Sequence, residues 1–194
     1  MDNNLKIINY LGKHDESFTM HNLSSILKIP YATFHRTISQ MNNLLLIKPV
    51  GKAKVISLSN NQAVTSYLTV SSFEEKNEFL KHNKLISLLS KELASDNIVL
   101  LFGSYADNKQ SEKSDIDLLI INDGSPSFSF SSFELLYKKK VNPIYLKESE
   151  FKAMLRKPDE NVGKQAKKNH IVLNNPSAFW EIAWKSTRNH SKNS

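Results

Sequence analysis

With 194 residues, 40% of them hydrophobic and only five glycines, the chain is long enough to bury a substantial core in one large or two small domains. It has no cysteine, which excludes disulfides and thiolate metal centres, and no apolar run near the roughly 20 residues that span a bilayer. Its opening MDNNLKIINYLGK lacks a secretory h-region, so a cytoplasmic protein without membrane contact is expected. The formal net charge of +7 favours polyanionic partners, most consistently in the first third, where residues 1–60 carry seven Lys/Arg against three Asp/Glu.

Leu5, Ile8 and Leu11 recur at helical spacing with Ile7 beside them, which predicts an amphipathic first helix ended by Gly12. Ser17-Phe18-Thr19 follows as a short extended piece. Leu23, Ile26 and Leu27 mark a second helix that stops before Pro30, because the residue preceding a proline avoids the helical region. A third helix begins near Tyr31, with Phe34, Ile38 and Met41 as its buried seam. That seam turns Ala32, Thr33, Arg36, Ser39 and Gln40 outward, side chains of the size and polarity that read a DNA groove. Two β-type runs, LLLIKPVG and KAKVISLS, then form a hairpin around Val50-Gly51-Lys52 that carries Lys48, Lys52 and Lys54.

Helix, strand, helix, turn, helix and basic hairpin is an order that resembles the winged helix-turn-helix family over residues 1–60. The resemblance implies that the Tyr31–Met41 helix enters the major groove and that the hairpin meets backbone phosphate. Thr33, Arg36, Gln40, Lys48, Lys52 and Lys54 are the DNA-contacting candidates; the plainer alternative is a small domain used for dimerisation or protein docking.

Residues 61–95 carry four acids and four bases, which suits a helical connector of two or three helices. The acidic residues after Ser71-Ser72, in Phe73-Glu74-Glu75, suggest a helix start there. The domain boundary is placed within Asn60–Ser72, and a third region, 96–190, completes the expected organisation.

Within that region, IVLLFGSYADNKQSEKSDIDLLII places two apolar β-type runs around a polar loop. The first ends in Gly103-Ser104, and the second opens with Asp115 and Asp117 one residue apart. On a strand such a pair leaves the same face while Ile116 and Leu118 face the other, an arrangement suited to a metal. A lone D-x-D is common; its combination with Phe102-Gly103-Ser104, Ala106 and Ser114-Asp115-Ile116-Asp117-Leu118 closely resembles the signature of the DNA polymerase β-like nucleotidyltransferase superfamily in its minimal form. Asn108 stands where that signature has a last glycine, and asparagine also tolerates the left-handed conformation.

The resemblance implies an α/β (α+β) fold, a nucleotidyltransferase-type mixed sheet flanked by helices behind the winged helix. Asp115 and Asp117 are then the catalytic and metal carboxylates for Mg²⁺ or Mn²⁺, with Gly103 and Ser104 holding the phosphates of a nucleoside triphosphate. It also calls for a third carboxylate on a later strand, expected over Val141–Leu146, where Asn142 stands instead; an amide has no charge and cannot act as a base. Glu148 and Glu150 would substitute only if the following loop folded back.

Beyond Lys147, helices are expected around Phe151, Met154 and Leu155, over Val162–Ile171, and over Ser177–Arg188. Trp180 and Trp184 belong to the core, Lys164, Lys167, Lys168 and His170 to a solvated cationic face, and the tail from Asn189 is expected to be disordered. Three functions compete: nucleotidyl transfer to a hydroxyl acceptor on protein, RNA or a small molecule; a DNA-binding regulator that senses nucleotide without turnover; and an antitoxin-like partner that docks an acidic protein or tRNA. A homodimer is compatible with each.

Overall fold

The computed structural model describes residues 1–188, so the expectation for the tail from Asn189 lies outside the described residues. The chain divides into two units, Met1–Ser71 and Ser72–Ser194.

In the first unit, α1 (Asn3–Lys13) is capped by Asp2, whose carboxylate accepts from the Leu5 N–H at 2.9 Å. A two-residue strand, β1 (Phe18–Thr19), leads into α2 (Met20–Ile26), for which Thr19 is the N-cap. α3 (Tyr31–Ser39) buries Phe34 and Ile38, with Met41 just beyond its end, and Ile7, Ile8, Leu23 and Ile56 of the same unit are buried as well. The strands β2 (Leu45–Val50) and β3 (Ala53–Leu58) are joined by two residues, and Gly51 supplies the positive φ of +58° that so short a turn demands. All pairing is antiparallel, in the order β1-β3-β2.

The next helix, α4 (Gln62–His82), runs without interruption through Ser71-Ser72, correcting the expected start there. The two hydroxyls have other work. Ser71 Oγ donates back to the Leu68 carbonyl, and the Ser72 hydroxyl oxygen, fully buried, accepts from Trp180 Nε1 at 2.7 Å. A serine cap and a serine that serves a buried indole look alike in one dimension. Ser72→Ala is expected to cost about 1–2 kcal/mol, since it orphans a buried donor, measured by denaturant unfolding.

The second unit continues with α5 (Lys84–Glu92) and a four-stranded sheet of order β6-β5-β4-β7, made of β4 (Ile98–Phe102), β5 (Ile116–Asn122), β6 (Val141–Lys147) and β7 (His170–Asn174). β4 pairs antiparallel with both β5 and β7, whereas β5 and β6 are parallel, so the sheet is mixed. Parallel neighbours need a crossover, and α7 (Ser131–Tyr137) lies in it. On one face Ile116, Leu118 and Ile120 join Ile86 and Leu89 of α5 and Phe133 of α7. Against the sheet also pack α8 (Glu148–Arg156), α9 (Val162–Lys168) and α10 (Pro176–Arg188). Lys76 of α4 donates to the Leu173 carbonyl at 2.5 Å, and burial pushes its ammonium below the ordinary lysine value.

The expected helix over Val162–Ile171 stops at Lys168, and His170–Asn174 is instead the edge strand β7. Three consecutive apolar residues, Ile171, Val172 and Leu173, are too short a run to reveal their period without their partner β4. Nor do Lys164, Lys167, Lys168 and His170 form one solvated face: Lys167 is 3% exposed, and His170, in β7, is buried with its Nδ1 at 2.9 Å from the Ala166 carbonyl and its ring against Phe179 and Trp180. The core placement of Trp180 and Trp184 holds, both being buried. Among the described residues no helix is long and apolar enough to cross a membrane.

Candidate functional site

β4 is buried along its whole length and delivers the chain to Gly103 at φ +68°, where a single turn of helix, α6 (Gly103–Ala106), begins. The turn is closed by backbone bonds from the Asp107 N–H to the Gly103 carbonyl (3.2 Å) and from the Lys109 N–H to the Ser104 carbonyl (2.9 Å). Asn108 adopts φ +54°, the left-handed conformation expected of the residue standing in for a glycine. From there the loop returns through a serine clasp: Ser114 Oγ accepts from the Ser111 N–H at 2.9 Å, and the Ser114 N–H donates to the Ser111 carbonyl at 3.1 Å. Ser114 is thus a structural part of the motif, fixing where β5 begins.

Register then brings the site together. Asp117 lies directly opposite Phe102 on β4, so Gly103 and its turn sit beside the Asp117 carboxylate. A Cβ on Gly103 would fall 2.5 Å from Asp117 Oδ2. The glycine is therefore required twice, for its φ and for its empty side. Gly103→Ala is expected to cost about 2–3 kcal/mol and to turn the Asp117 side chain away, checked by denaturant unfolding and by Mg²⁺ titration of the variant.

Asp115 precedes β5 by one residue and lies 3.8 Å from the Lys140 ammonium. Both Asp115 and Asp117 are partly exposed, while Ile116 and Leu118 between and beyond them are fully buried in the opposite face. On the other side of β5, Asn142 is the register partner of Asp117, and its Nδ2 donates to Asp117 Oδ1 at 3.1 Å. Asn142 thus occupies the neighbouring position across the ladder, at hydrogen-bonding distance from the carboxylate it would assist.

β6 is an edge strand, which explains a proline in its middle. The Ile116 N–H donates to the Lys140 carbonyl, so the alternate residues Lys140 and Asn142 turn their backbone groups toward β5, while Val141 and Pro143 turn theirs to the free edge. There the Val141 N–H is taken by Glu134 Oε1 of α7 at 2.8 Å. Glu134 was not singled out by the sequence reasoning. It faces the outer edge of β6, and its role is to fix the strand that carries Asn142. No local signal exists for it, because the bond joins the crossover helix to a strand edge that only the folded sheet defines.

Glu148 and Glu150 cannot fill the third position. β5 and β6 run in parallel from Asp117 beside Asn142 to Asn122 beside Lys147, so the two glutamates leave the sheet at its far end, about 16 Å on at 3.3 Å per residue. Both are also engaged there, Glu150 accepting from the Lys147 N–H at 2.7 Å and Glu148 pairing with Lys152. Among the described residues no group of three or more His, Asp and Glu side chains is placed to hold a metal. What remains, the carboxylates of Asp115 and Asp117 and the amide of Asn142, offers only hard oxygen donors, the ligand type that Mg²⁺ and Mn²⁺ take.

In the first unit, the residues proposed from sequence to face DNA lie at the surface: Arg36, Gln40, Lys48, Lys52 and Lys54 are exposed and Thr33 half-buried. His35 is exposed as well, one helical turn after Tyr31; its spacing of four from Tyr31 was the available signal.

No curated protein and no solved structure matches the chain. Residues 83–177, just under half of the chain, match the family model described as Polymerase beta, Nucleotidyltransferase, and this segment, with Gly103, Ser104, Asp115, Asp117 and Asn142 inside it, is similar to the nucleotidyltransferase domains of that family.

Proposed function

We propose that the second unit binds a nucleoside triphosphate with Mg²⁺ or Mn²⁺ and transfers its nucleotidyl group to a hydroxyl acceptor on protein or RNA. The observation that carries this reading is the cradle where β4 ends and β5 begins, in which the empty side of Gly103 faces the Asp117 carboxylate. Asp115 and Asp117 would hold the divalent cation, which when bound neutralises charge on the triphosphate. Gly103 leaves backbone N–H groups open to phosphate oxygens, and the Ser104 hydroxyl donates to another. The acceptor oxygen forms a bond to the α-phosphorus as the bond to the bridging oxygen breaks; pyrophosphate departs and the acceptor proton passes to water, because Asn142 offers no base. The test is incubation of the whole protein with each labelled nucleoside triphosphate, Mg²⁺ or Mn²⁺, and protein or RNA acceptors. Label on the acceptor is the expected result, and its absence under every pairing would overturn the reading.

The first unit, in this proposal, is a winged helix that binds DNA, with α3 in the major groove and the β2–β3 hairpin on phosphate. Support comes from the outward Arg36 and Gln40 and the three exposed hairpin lysines. Asn142 beside Asp117 favours a second reading, a DNA-binding regulator whose nucleotide domain senses without turnover. It expects DNA affinity to change with nucleotide while the nucleotide is recovered intact.

A further inference from the structure

Between α3 and the hairpin of the first unit lies a cleft of about 390 Å³, lined by Thr19, His21, Tyr31, His35, Lys52 and Lys54 among others. One wall is a row of rings: His21 and Tyr31 have centroids 5.9 Å apart, and Tyr31 and His35 6.3 Å. Tyr31 remains 47% exposed, so its face and hydroxyl are open to a ligand. The other wall is Lys52-Ala53-Lys54 at the start of β3. Both lysines are exposed, and among the described residues neither is paired with a carboxylate. The lining therefore combines two ammonium groups, ring N–H and hydroxyl donors, and an aromatic face, and it contains no carboxylate.

We infer that this cleft is a clamp for one phosphodiester and its sugar in the backbone of duplex DNA. The inference rests on the DNA-binding reading and adds to it the residues His21, Tyr31 and His35. If α3 enters the major groove and the hairpin lies on the adjoining backbone, the strand bounding that groove must pass between them, over the cleft. The phosphate oxygens meet Lys52 and Lys54, with His21 and His35 donating from the opposite wall, and the deoxyribose lies against the Tyr31 ring. Such a clamp carries no sequence information. It fixes the depth and rotation at which Thr33, Arg36 and Gln40 reach the bases.

The full chain is titrated with a labelled mixed-sequence DNA duplex, the same sequence as an RNA duplex, and single-stranded DNA over a range of salt. Wild type is expected to bind the DNA duplex best, since the deep, narrow groove of A-form RNA does not admit a helix. Lys54→Gln is expected to lower the slope of log affinity against log salt by about one. His21→Asn with His35→Gln is expected to weaken DNA binding about tenfold, by a similar factor on unrelated sequences. Gln40→Ala, on the base-facing side, is expected to alter preference between sequences instead. If wild type binds no DNA duplex, the DNA-binding reading itself falls. If it binds and Lys54→Gln weakens it while the double histidine variant and Tyr31→Ala, both folded by circular dichroism, leave affinity unchanged, the clamp is overturned and the reading stands. Equal affinity for the RNA duplex overturns the clamp too.

Discussion

Asp117→Asn is expected to reduce nucleotidyl transfer by about three orders of magnitude while leaving the protein folded. The substitution keeps the size of the side chain, its place opposite Phe102 and a partner for Asn142, so circular dichroism and denaturant midpoint should scarcely move. What it removes is one of the two negative charges at the candidate site and one of the two carboxylate oxygens proposed for the cation, leaving a neutral amide and Asp115 alone. Glu134 is committed to the outer edge of β6, and Glu148 and Glu150 sit at the far end of the sheet. Transfer of label by the variant at the wild-type rate would remove Asp117 from the chemistry. Mg²⁺-dependent nucleotide affinity, read separately by equilibrium dialysis, is expected to fall by tenfold or more whether or not turnover occurs.

Asn142→Asp is expected to act in the opposite direction. It places a third carboxylate 3.1 Å from Asp117, at the distance now spanned by a hydrogen bond. Without a divalent ion, two like charges so close should destabilise the fold by roughly 1–3 kcal/mol, discounted for the partial exposure of the site. With Mg²⁺ the same pair becomes a stronger cation site, so stability should recover on titration. If general-base assistance is what the wild type lacks, transfer should rise by about a hundredfold. Unfolding curves with chelator and with Mg²⁺, beside initial rates on the same samples, read both effects. No Mg²⁺-dependent recovery and no gain in rate would mean that position 142 does not face the reacting groups. Recovery without a gain in rate would favour the nucleotide sensor.

Much of the local geometry of the second unit's candidate site was legible because its parts are adjacent in sequence. The turn after an apolar strand, the alternation of Asp115, Ile116, Asp117 and Leu118, and the left-handed tolerance of Asn108 are local properties of the backbone. Asn142 could be placed because the resemblance calls for a carboxylate on a later strand and Val141–Leu146 is an apolar run of strand length. What escaped was set by pairing across long stretches. The Asp115–Lys140 ion pair and the Glu134 bond to β6 depend on the parallel register of β5 and β6, and β7 exists as a strand only against β4. The Ser71-Ser72 cap failed for a related reason: the hydroxyl of Ser72 is spoken for by an indole 108 residues away. In the first unit the apolar seam of α3 emerged from its period, whereas the cleft with His21 and His35 needed the hairpin folded beside the helix.

The proline in β6 also bears on how the protein ages. Asparagines slowly turn into aspartates when the backbone nitrogen of the next residue attacks the side-chain amide and closes a five-membered imide that water then opens. The residue after Asn142 is Pro143, whose nitrogen bears no hydrogen and cannot make that attack. The amide beside Asp117 is therefore sealed against the commonest route by which storage would convert it to the missing acid. A stored sample that gained activity would owe it to some other change, and intact-peptide mass spectrometry should find position 142 still an amide.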